Sequence, residues 1–178
     1  ALEAYAHAYG LAAAALRYFN AAGAVESGDL GEDHDPESHL IPIVLQVALG
    51  QREHVTVYGN DSRTEDGTCI RDYVHVDDLA NAHVAALARL QPGKKIALNL
   101  GTGRGASVLE IIQACRRVTG HPIPTVMGDR RPGDPPSLVA DPSQAKTVLD
   151  WQPLYTTTES IVRSAWKWHE AHPNGYGE

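Results

Sequence analysis

Hydrophobic positions along the chain predict an alternation of strands and helices. Three short apolar runs, at residues 12–19, 55–58 and 96–100, are predicted to be strands, and the first and last suit a parallel sheet buried on both faces. Six segments are predicted to be helices: residues 2–9, 40–49, 76–89, 108–119, 143–149 and 157–171. This order of elements indicates the α/β class.

Residues at the element boundaries support these assignments. Pro42 lies in the first turn of the second helix, and Gly50 follows its end, which are the usual positions of these residues. Residues 20–36 are rich in Gly, Asp and Glu and are predicted to be a loop. Residues 122–136 are predicted to be an extended segment and loop.

The composition excludes several classes of protein. A chain of 178 residues with 43% hydrophobic and 21% charged positions fits one globular domain. The net charge of −7 argues against a nucleic-acid partner. No apolar run reaches the roughly 18 residues of a membrane span, and no signal-peptide pattern is seen. Two separated cysteines, Cys69 and Cys115, indicate a reducing compartment, so we expect a cytoplasmic protein without a membrane partner.

The first residues have the pattern of the interior of a larger protein. Residues 1–15 resemble the middle of a helix followed by a turn at Gly10, with no initiator Met and no N-cap residue. We therefore expect this sequence to be a fragment.

A glycine-rich segment at residues 101–105 follows a predicted strand and precedes a helix. Its spacing is G-x-G-x-G rather than the G-x-G-x-x-G of a dinucleotide-binding turn. No Asp or Glu follows about 20 residues later at a strand end, and the segment lies too late in the chain for a first strand–helix turn. We expect a tight structural turn rather than a phosphate site.

Nine histidines raise the question of a metal site. His169 and His172 share a face of the last predicted helix, with Glu170 nearby, but no third ligand has regular spacing. We therefore expect no metal site. The local sequence suggests neither a Ser-His-Asp nor a Cys-His arrangement. Cys69 has two interpretations, a reactive thiol or a small buried residue.

Two motifs carry the strongest functional signal. Residues 67–80 read Gly-Thr-Cys-Ile-Arg-Asp-Tyr-Val-His-Val-Asp-Asp-Leu-Ala, and residues 16–23 read Leu-Arg-Tyr-Phe-Asn-Ala-Ala-Gly. Together they resemble the UDP-glucose (UDP-galactose) 4-epimerases of the extended short-chain dehydrogenase family, and the resemblance extends from about residue 2 to the C-terminus. Rival interpretations are a nucleotide-sugar dehydratase or decarboxylase and a non-catalytic binding module. Nucleotide-sugar dehydratases and decarboxylases usually lack segments such as residues 64–68 and 16–20 of this chain.

The resemblance implies an NAD cofactor, a UDP-sugar substrate, a homodimer and the interconversion of UDP-glucose and UDP-galactose. It also implies a glycine-rich dinucleotide turn and a catalytic Tyr-x-x-x-Lys pair, and neither occurs here. We therefore expect no catalytic residue in this chain. It would supply the UDP-sugar-binding half of a Rossmann-type enzyme and be inactive alone.

The resemblance also predicts two lobes. Residues 1–23 correspond to the last helix and strand of the dinucleotide-binding lobe, and residues 24–178 to the substrate lobe. Within the latter, residues from about 71 to 100 are expected to pack back on the first lobe.

Two candidate site residues, Tyr18 and Asn20, lie at the end of the first predicted strand. Ligands of open α/β sheets bind beyond the carboxyl ends of strands, where Asn20 lies. From the residues alone, capping of the next loop is the favoured role for Asn20, and the resemblance reverses that order. By resemblance, Tyr18 lies beside the nicotinamide and Asn20 contacts the nucleotide-sugar.

Two arginines are candidates for binding the diphosphate. Arginine offers a planar fork of donors suited to phosphate oxygens. By resemblance, Arg71 and Arg131 bind the diphosphate and Asp134 accepts from ribose hydroxyls, and Arg130 could substitute for its neighbour. The open alternative is that both arginines form surface ion pairs: Arg71 with Asp72 or Asp66, and Arg131 with Asp129 or Asp134.

Further contacts to the nucleotide are implied by resemblance. The predicted strand at residues 55–58 would bind uracil through its main chain at Thr56 and Val57, with Tyr58 stacking near the base. His39 and Leu40 occupy a position where the family commonly has Asn-Leu. Their alternative role is to begin the helix that follows.

Ser137 is predicted to set substrate breadth. Three residues past Asp134, the family places a side chain that closes the sugar pocket around the C2 substituent. The small serine extends the expected substrates to the N-acetylated pair of UDP-hexoses. The alternative is that Ser137 only ends a turn.

Overall fold

The computed structural model describes residues 1–177 and confirms the α/β class. Its helices are α1 (Leu2–Tyr9), α2 (Leu40–Ala48), α3 (Val76–Leu87), α4 (Val108–Thr119), α5 (Ser143–Leu149) and α6 (Thr158–Ala171). Its strands are β1 (Ala13–Tyr18), β2 (Asn20–Ala22), β3 (Val55–Tyr58), β4 (Ile70–His75), β5 (Lys95–Leu100), β6 (Gly105–Ser107), β7 (Thr125–Gly128) and β8 (Ser137–Leu138). None of these helices combines the length and hydrophobicity that crossing a bilayer requires.

The strands form three small sheets. β1 pairs with β5 in parallel, as predicted. Burial on both faces was wrong for this chain, because only Ala13 of β1 and Leu98 and Leu100 of β5 are buried. β3 pairs in parallel with β7, which lies inside the segment predicted as extended and loop. β4 pairs in parallel with β2 and β8 and antiparallel with β6. Strand β4 is absent from the sequence-based prediction, and so is β2, which lies in the predicted loop.

Strand β4 separates two hydrophobic cores. Tyr73 belongs to the larger core, which α2, α4, α6 and β3 enclose. Val74, its neighbour, belongs to a smaller core between α3, α5 and β5. Successive side chains of a strand point to opposite faces, so one strand can serve both cores.

The helix boundaries follow from local chemistry. Ser107 and Glu110 form a reciprocal capping box at the start of α4, and Gly120 ends that helix in a left-handed conformation. The Thr157 hydroxyl accepts from the Ser160 N–H at the start of α6. Helix α2 begins at Leu40 without a side-chain cap, and its burial on the larger core accounts for its formation.

The two sequence motifs meet in the structure. Asn20, at the start of β2, is the register partner of Tyr73 in β4. Gly23 follows β2 with φ of 91°, and a Cβ there would lie 2.6 Å from the ring of His75. Glycine is therefore required at the end of the first motif, because the chain there approaches His75 of the second motif so closely.

Candidate functional site

A cleft of about 340 Å³ opens between α2, β3, β4 and the segment after β7. The structure brings together there most residues that the sequence assigned to the nucleotide-sugar. These are Asn20, His39, Leu40, Thr56, Tyr58, Arg71, Arg131 and Asp134. They come from five separate parts of the chain, so the fold, and not one motif, assembles the cleft.

The cleft concentrates positive charge. Arg52, Arg71 and Arg131 all line it, and Asp134 is the carboxylate among its lining residues. The chain as a whole carries a net charge of −7. A local excess of guanidinium groups in an acidic protein is a suitable environment for a ligand with two phosphate charges.

Arg71 is held in place by two contacts. One guanidinium nitrogen donates to the Ile70 carbonyl over 2.7 Å, and the other forms an ion pair with Asp134. The sequence offered Asp72 or Asp66 as surface partners for Arg71. The structure gives Asp134 instead, and the side chain of Arg71 is only 14% exposed.

Arg131 is placed differently from its neighbour. Its guanidinium lies 4.0 Å from the ring centroid of Tyr58, over the face of the ring. Arg130 points elsewhere, 3.9 Å from the Asp61 carboxylate and 3.4 Å from the Asp134 carbonyl. No ion pair of Arg131 occurs within residues 1–177, so its donors remain free to bind a ligand.

Strand β3 presents main-chain groups to the cleft. Within the described chain its one neighbouring strand is β7, and the Val55 and Gly59 N–H groups each donate over 2.9 Å to that side. Successive residues of a strand direct their main-chain N–H and C=O groups to opposite edges. The groups of Thr56 and Tyr58 therefore point away from β7, to the edge of β3 that is free of a neighbouring strand in the described part of the chain. Val57 points its main chain towards β7 and its side chain, 1% exposed, into the core. The structure thus brings Thr56 and Tyr58, and not Val57, to the cleft.

Tyr18 lies in a second, adjoining cleft of about 660 Å³. This cleft lies between the end of β1 and the start of α3, with Val25, Leu30 and Val76 among its apolar walls. Asn20 borders both clefts. It therefore joins the charged cleft to the apolar one, at the carboxyl end of a parallel strand.

His39 is the second residue that lines both clefts. It is the N-cap residue of α2, but its side chain does not cap the helix. The ring instead contacts the carboxylates of Glu32 and Glu37. His39 therefore precedes α2 and also faces the clefts, and its contact with a ligand stays a prediction.

Ser137 lines neither cleft. In β8 it is the register partner of Ile70, while Leu138 is the partner of Arg71. Register partners in a parallel pair project to the same face. Leu138, and not Ser137, therefore shares the face of the cleft arginine.

Several residues that line the charged cleft, including Cys69, Tyr73 and Arg52, were not predicted from the sequence as site residues. Cys69 directly precedes β4, so recognition of this strand would have revealed Cys69 and Tyr73 through their alternation with Arg71. The pKa of the Cys69 thiol is raised by burial and by the charge of Asp134. Cys69 therefore remains a neutral thiol, which argues against the interpretation as a reactive one.

The glycine-rich segment binds an internal anion. The buried carboxylate of Asp72 accepts from the Thr102 hydroxyl at 2.7 Å, from the Thr102 and Gly103 N–H groups at 3.0 Å, and from the Ala140 N–H at 3.2 Å. A Cβ on Gly101 would lie 2.6 Å from this carboxylate. The donors that a phosphate would need are already used, so the turn is structural, as predicted.

A buried histidine and serine lie close together at the end of β4. The Asp77 N–H donates to His75 Nδ1 at 3.0 Å, so neutral His75 carries its proton on Nε2 and donates to Ser164 Oγ at 2.8 Å. The Ser164 hydroxyl in turn donates to the Ile161 carbonyl. The serine oxygen is a hydrogen-bond acceptor here rather than a nucleophile.

Comparisons with known proteins agree with this geometry. Residues 1–101 match the NAD dependent epimerase/dehydratase family. The chain is 59% identical over 170 residues to a UDP-glucose 4-epimerase of Halalkalibacterium halodurans, covering 95% of this chain and 51% of that relative.

Solved structures are similar as well. A crystal structure of a UDP-glucose 4-epimerase gives a TM-score of 0.94 at 50% identity, covering 99% of this chain and 54% of the other. The enzyme from Bifidobacterium longum, in complex with NAD+ and UDP, gives a TM-score of 0.92 at 42% identity, covering 98% and 52%. The chain thus spans about half the length of these relatives. It belongs to the NAD dependent epimerase/dehydratase family.

Proposed function

We propose that this chain is the UDP-sugar-binding part of an NAD-dependent UDP-hexose 4-epimerase. The observation that carries the proposal is the charged cleft, in which Arg71, Arg131 and the free edge of β3 converge. A nucleoside diphosphate needs cations for its phosphates and main-chain donors and acceptors for its base. The cleft offers both within one space.

Each group in the cleft has a distinct part in binding. The guanidinium groups of Arg71 and Arg131 bind the diphosphate, and Asp134 accepts from ribose hydroxyls. The Thr56 and Tyr58 main-chain groups bind the uracil, with the Tyr58 ring beside it. Asn20 directs the sugar towards the apolar cleft, so binding energy at the nucleotide orients the reacting hexose.

The apolar cleft suits a flat nicotinamide ring, with Tyr18 against it. The chemistry supplied by NAD, when bound there, would be reversible hydride transfer at the sugar C4. The residues of this chain position the sugar for that exchange and line the space that excludes water. No residue of this chain is assigned to proton transfer.

We further propose a two-lobe organisation in which residues 1–23 belong to the dinucleotide-binding lobe, residues 24–178 to the substrate lobe, and about 71–100 pack on the former. The enzyme would act in galactose metabolism in the cytoplasm, as a homodimer. Two free thiols, at Cys69 and Cys115, support a reducing compartment.

Calorimetry on the 178-residue chain tests the binding proposal. UDP is expected to bind and uridine, which lacks the phosphates, to bind at least tenfold more weakly. Equal affinities would contradict the assignment of the arginines.

Activity is tested with a chimera that joins this chain to the unmatched part of the 59% identical relative. Conversion of UDP-galactose to UDP-glucose is expected from the chimera and not from this chain alone.

The same chimera tests substrate breadth. We propose that it also interconverts the N-acetylated UDP-hexoses and that Ser137→Tyr abolishes only that activity, through steric exclusion. Leu138→Tyr is the matched variant, since the register places it on the face of Arg71. If Leu138→Tyr loses activity on the N-acetylated UDP-hexoses and Ser137→Tyr does not, Leu138 and not Ser137 would be the residue that sets substrate breadth. No activity of the unsubstituted chimera on the N-acetylated pair would contradict the breadth itself.

A further inference from the structure

The loop before α2 gathers four side chains that can bind a metal ion, and one of them, His39, also lines the charged cleft. His39 Nδ1 lies 2.5 Å from Glu32 Oε1 and 3.1 Å from Glu37 Oε1. His34 Nδ1 lies 3.9 Å from the same oxygen of Glu37. One ligand atom from each of His34, Glu37 and His39 fits within 4.8 Å of the others. The segment thus brings two imidazoles and the Glu37 carboxylate together, and the Glu32 carboxylate contacts the His39 ring beside this group.

These separations are of the size that a tetrahedral metal ion imposes. Bonds of about 2.0–2.1 Å from zinc to nitrogen and oxygen place neighbouring ligand atoms about 3.3 Å apart. The separations measured here, from 2.5 to 3.9 Å, lie on both sides of that value. Glu37 can stay in place, since small rotations of the exposed His34 and His39 side chains and of Glu32 would bring the four atoms to the required geometry.

The least exposed ligand is already oriented. The Glu37 side chain is 4% exposed, and its Oε1 accepts from the Ser38 and His39 N–H groups, each at 2.7 Å. Such outer contacts fix a ligating carboxylate in other metal sites. Glu37 is therefore held towards the two imidazoles of His34 and His39.

We propose that Glu32, His34, Glu37 and His39 form a binding site for one divalent transition metal ion of the zinc class. Two imidazole ligands favour this class over magnesium or calcium, which prefer oxygen. The sequence drew attention instead to His169 and His172. The His172 ring stacks on Trp168, 3.9 Å between centroids, and neither histidine belongs to the cluster.

Calorimetric titration of the 178-residue chain with Zn²⁺ tests the site. One ion per chain is expected, and His34→Ala and Glu32→Gln should each weaken binding at least tenfold. His7→Ala is the matched control, because His7 lies exposed on α1 and its loss should leave the zinc affinity unchanged. Circular dichroism of each variant confirms that the fold is retained. The titration contains no nucleotide, so its outcome is independent of the proposed function.

Three results would overturn the proposal. The first is the absence of zinc binding to a folded chain. The second is an affinity that neither His34→Ala nor Glu32→Gln lowers more than His7→Ala does. The third is binding that His169→Ala abolishes while His34→Ala preserves it, which would move the ion to the end of α6.

Discussion

Two neighbouring residues of β4, Arg71 and Asp72, serve opposite purposes. The carboxylate of Asp72 is buried and accepts four hydrogen bonds from the turn at 101–103 and from Ala140. The guanidinium of Arg71 faces a cleft and is only partly committed, to Asp134 and a carbonyl. The glycine-rich turn resembles an anion site in sequence, whereas the cleft has no such motif.

The difference shows that uncommitted donors, rather than a motif, define an anion site. The donors of the turn are saturated by a carboxylate from within the chain. Those of Arg131 are free within the described residues, apart from the contact of its guanidinium with the Tyr58 ring. The following four predictions test this contrast, beginning with the largest expected effect.

Asp72→Asn should cause the greatest loss of stability. The amide cannot accept from all four donors, and each buried N–H left without a partner costs about 1–3 kcal/mol. We expect a loss of at least about 3 kcal/mol, which lowers the melting temperature by roughly 6–12 °C for a chain of this size. Asp129→Asn, at an exposed position, is the control. A similar melting temperature for both variants, measured by circular dichroism, would show that the Asp72 contacts contribute little.

Arg131→Ala should weaken UDP binding without affecting stability. Loss of a charge-assisted phosphate contact costs about 1.5–3 kcal/mol, or roughly 10- to 150-fold in affinity. Arg130→Ala removes the same charge from the adjacent residue, which points towards Asp61. Its UDP affinity should stay within about threefold of wild type. Calorimetry measures both affinities. If the two variants lose UDP affinity equally, the cause is the change in net charge and not the loss of a contact between Arg131 and the phosphates.

The sequence predicted the helices of the fold but not strand β4, which carries both Arg71 and Asp72. It predicted every helix of the structure. In α2 and α4 the boundaries are clear, since Gly50 follows α2 and Ser107 and Gly120 flank α4. The sequence did not identify β4 as a strand, since Arg71, Asp72 and His75 interrupt its apolar residues. Such a strand is stable only because each polar group finds a partner distant in sequence, and local patterns carry no signal of those partners.

The same limit applies to the cleft. Resemblance to a family located Arg71, Arg131 and Asp134, but the pairing of Arg71 with Asp134 depends on residues 63 positions apart. The free edge of β3 depends on which strand pairs with it. Distinguishing Thr56 from Val57 likewise requires the hydrogen-bond register, which the sequence does not specify.

A third prediction concerns the pH dependence of stability at His75, the last residue of β4. Burial lowers the pKa of this histidine, although the charges of Asp77, Asp78 and Glu26 oppose the shift. The folded chain therefore takes up the proton less readily than the unfolded chain does. The stabilisation is complete above about pH 6.5 and is lost as the pH falls through the lower pKa of the folded state, by up to about 1.4 kcal/mol per unit.

Urea unfolding between about pH 7.5 and pH 5.5 measures this loss. His75→Gln cannot take up the proton, so its stability should fall less steeply over the same range. His169, whose pKa is also lowered by burial, is present in both proteins and cancels in the difference. Parallel curves would show that the contacts at the end of β4 do not depend on the neutral form of His75.

Gly103→Ala should have the smallest effect and tests the turn directly. Gly103 has φ of 75°, and a Cβ there would lie 3.4 Å from Pro142, so the space is sufficient and only the backbone conformation is unfavourable. We expect a loss of about 1 kcal/mol, or roughly 2–4 °C in melting temperature. Because Asp72 already occupies the donors of the turn, UDP affinity should stay within about twofold of wild type. Gly101→Ala is the companion variant, and its Cβ would lie 2.5 Å from that of Ala140, so it should be less stable than Gly103→Ala. If Gly103→Ala instead weakened UDP binding tenfold while the chain stayed folded, the turn would contact the ligand, and the contrast between the two sides of β4 would be wrong.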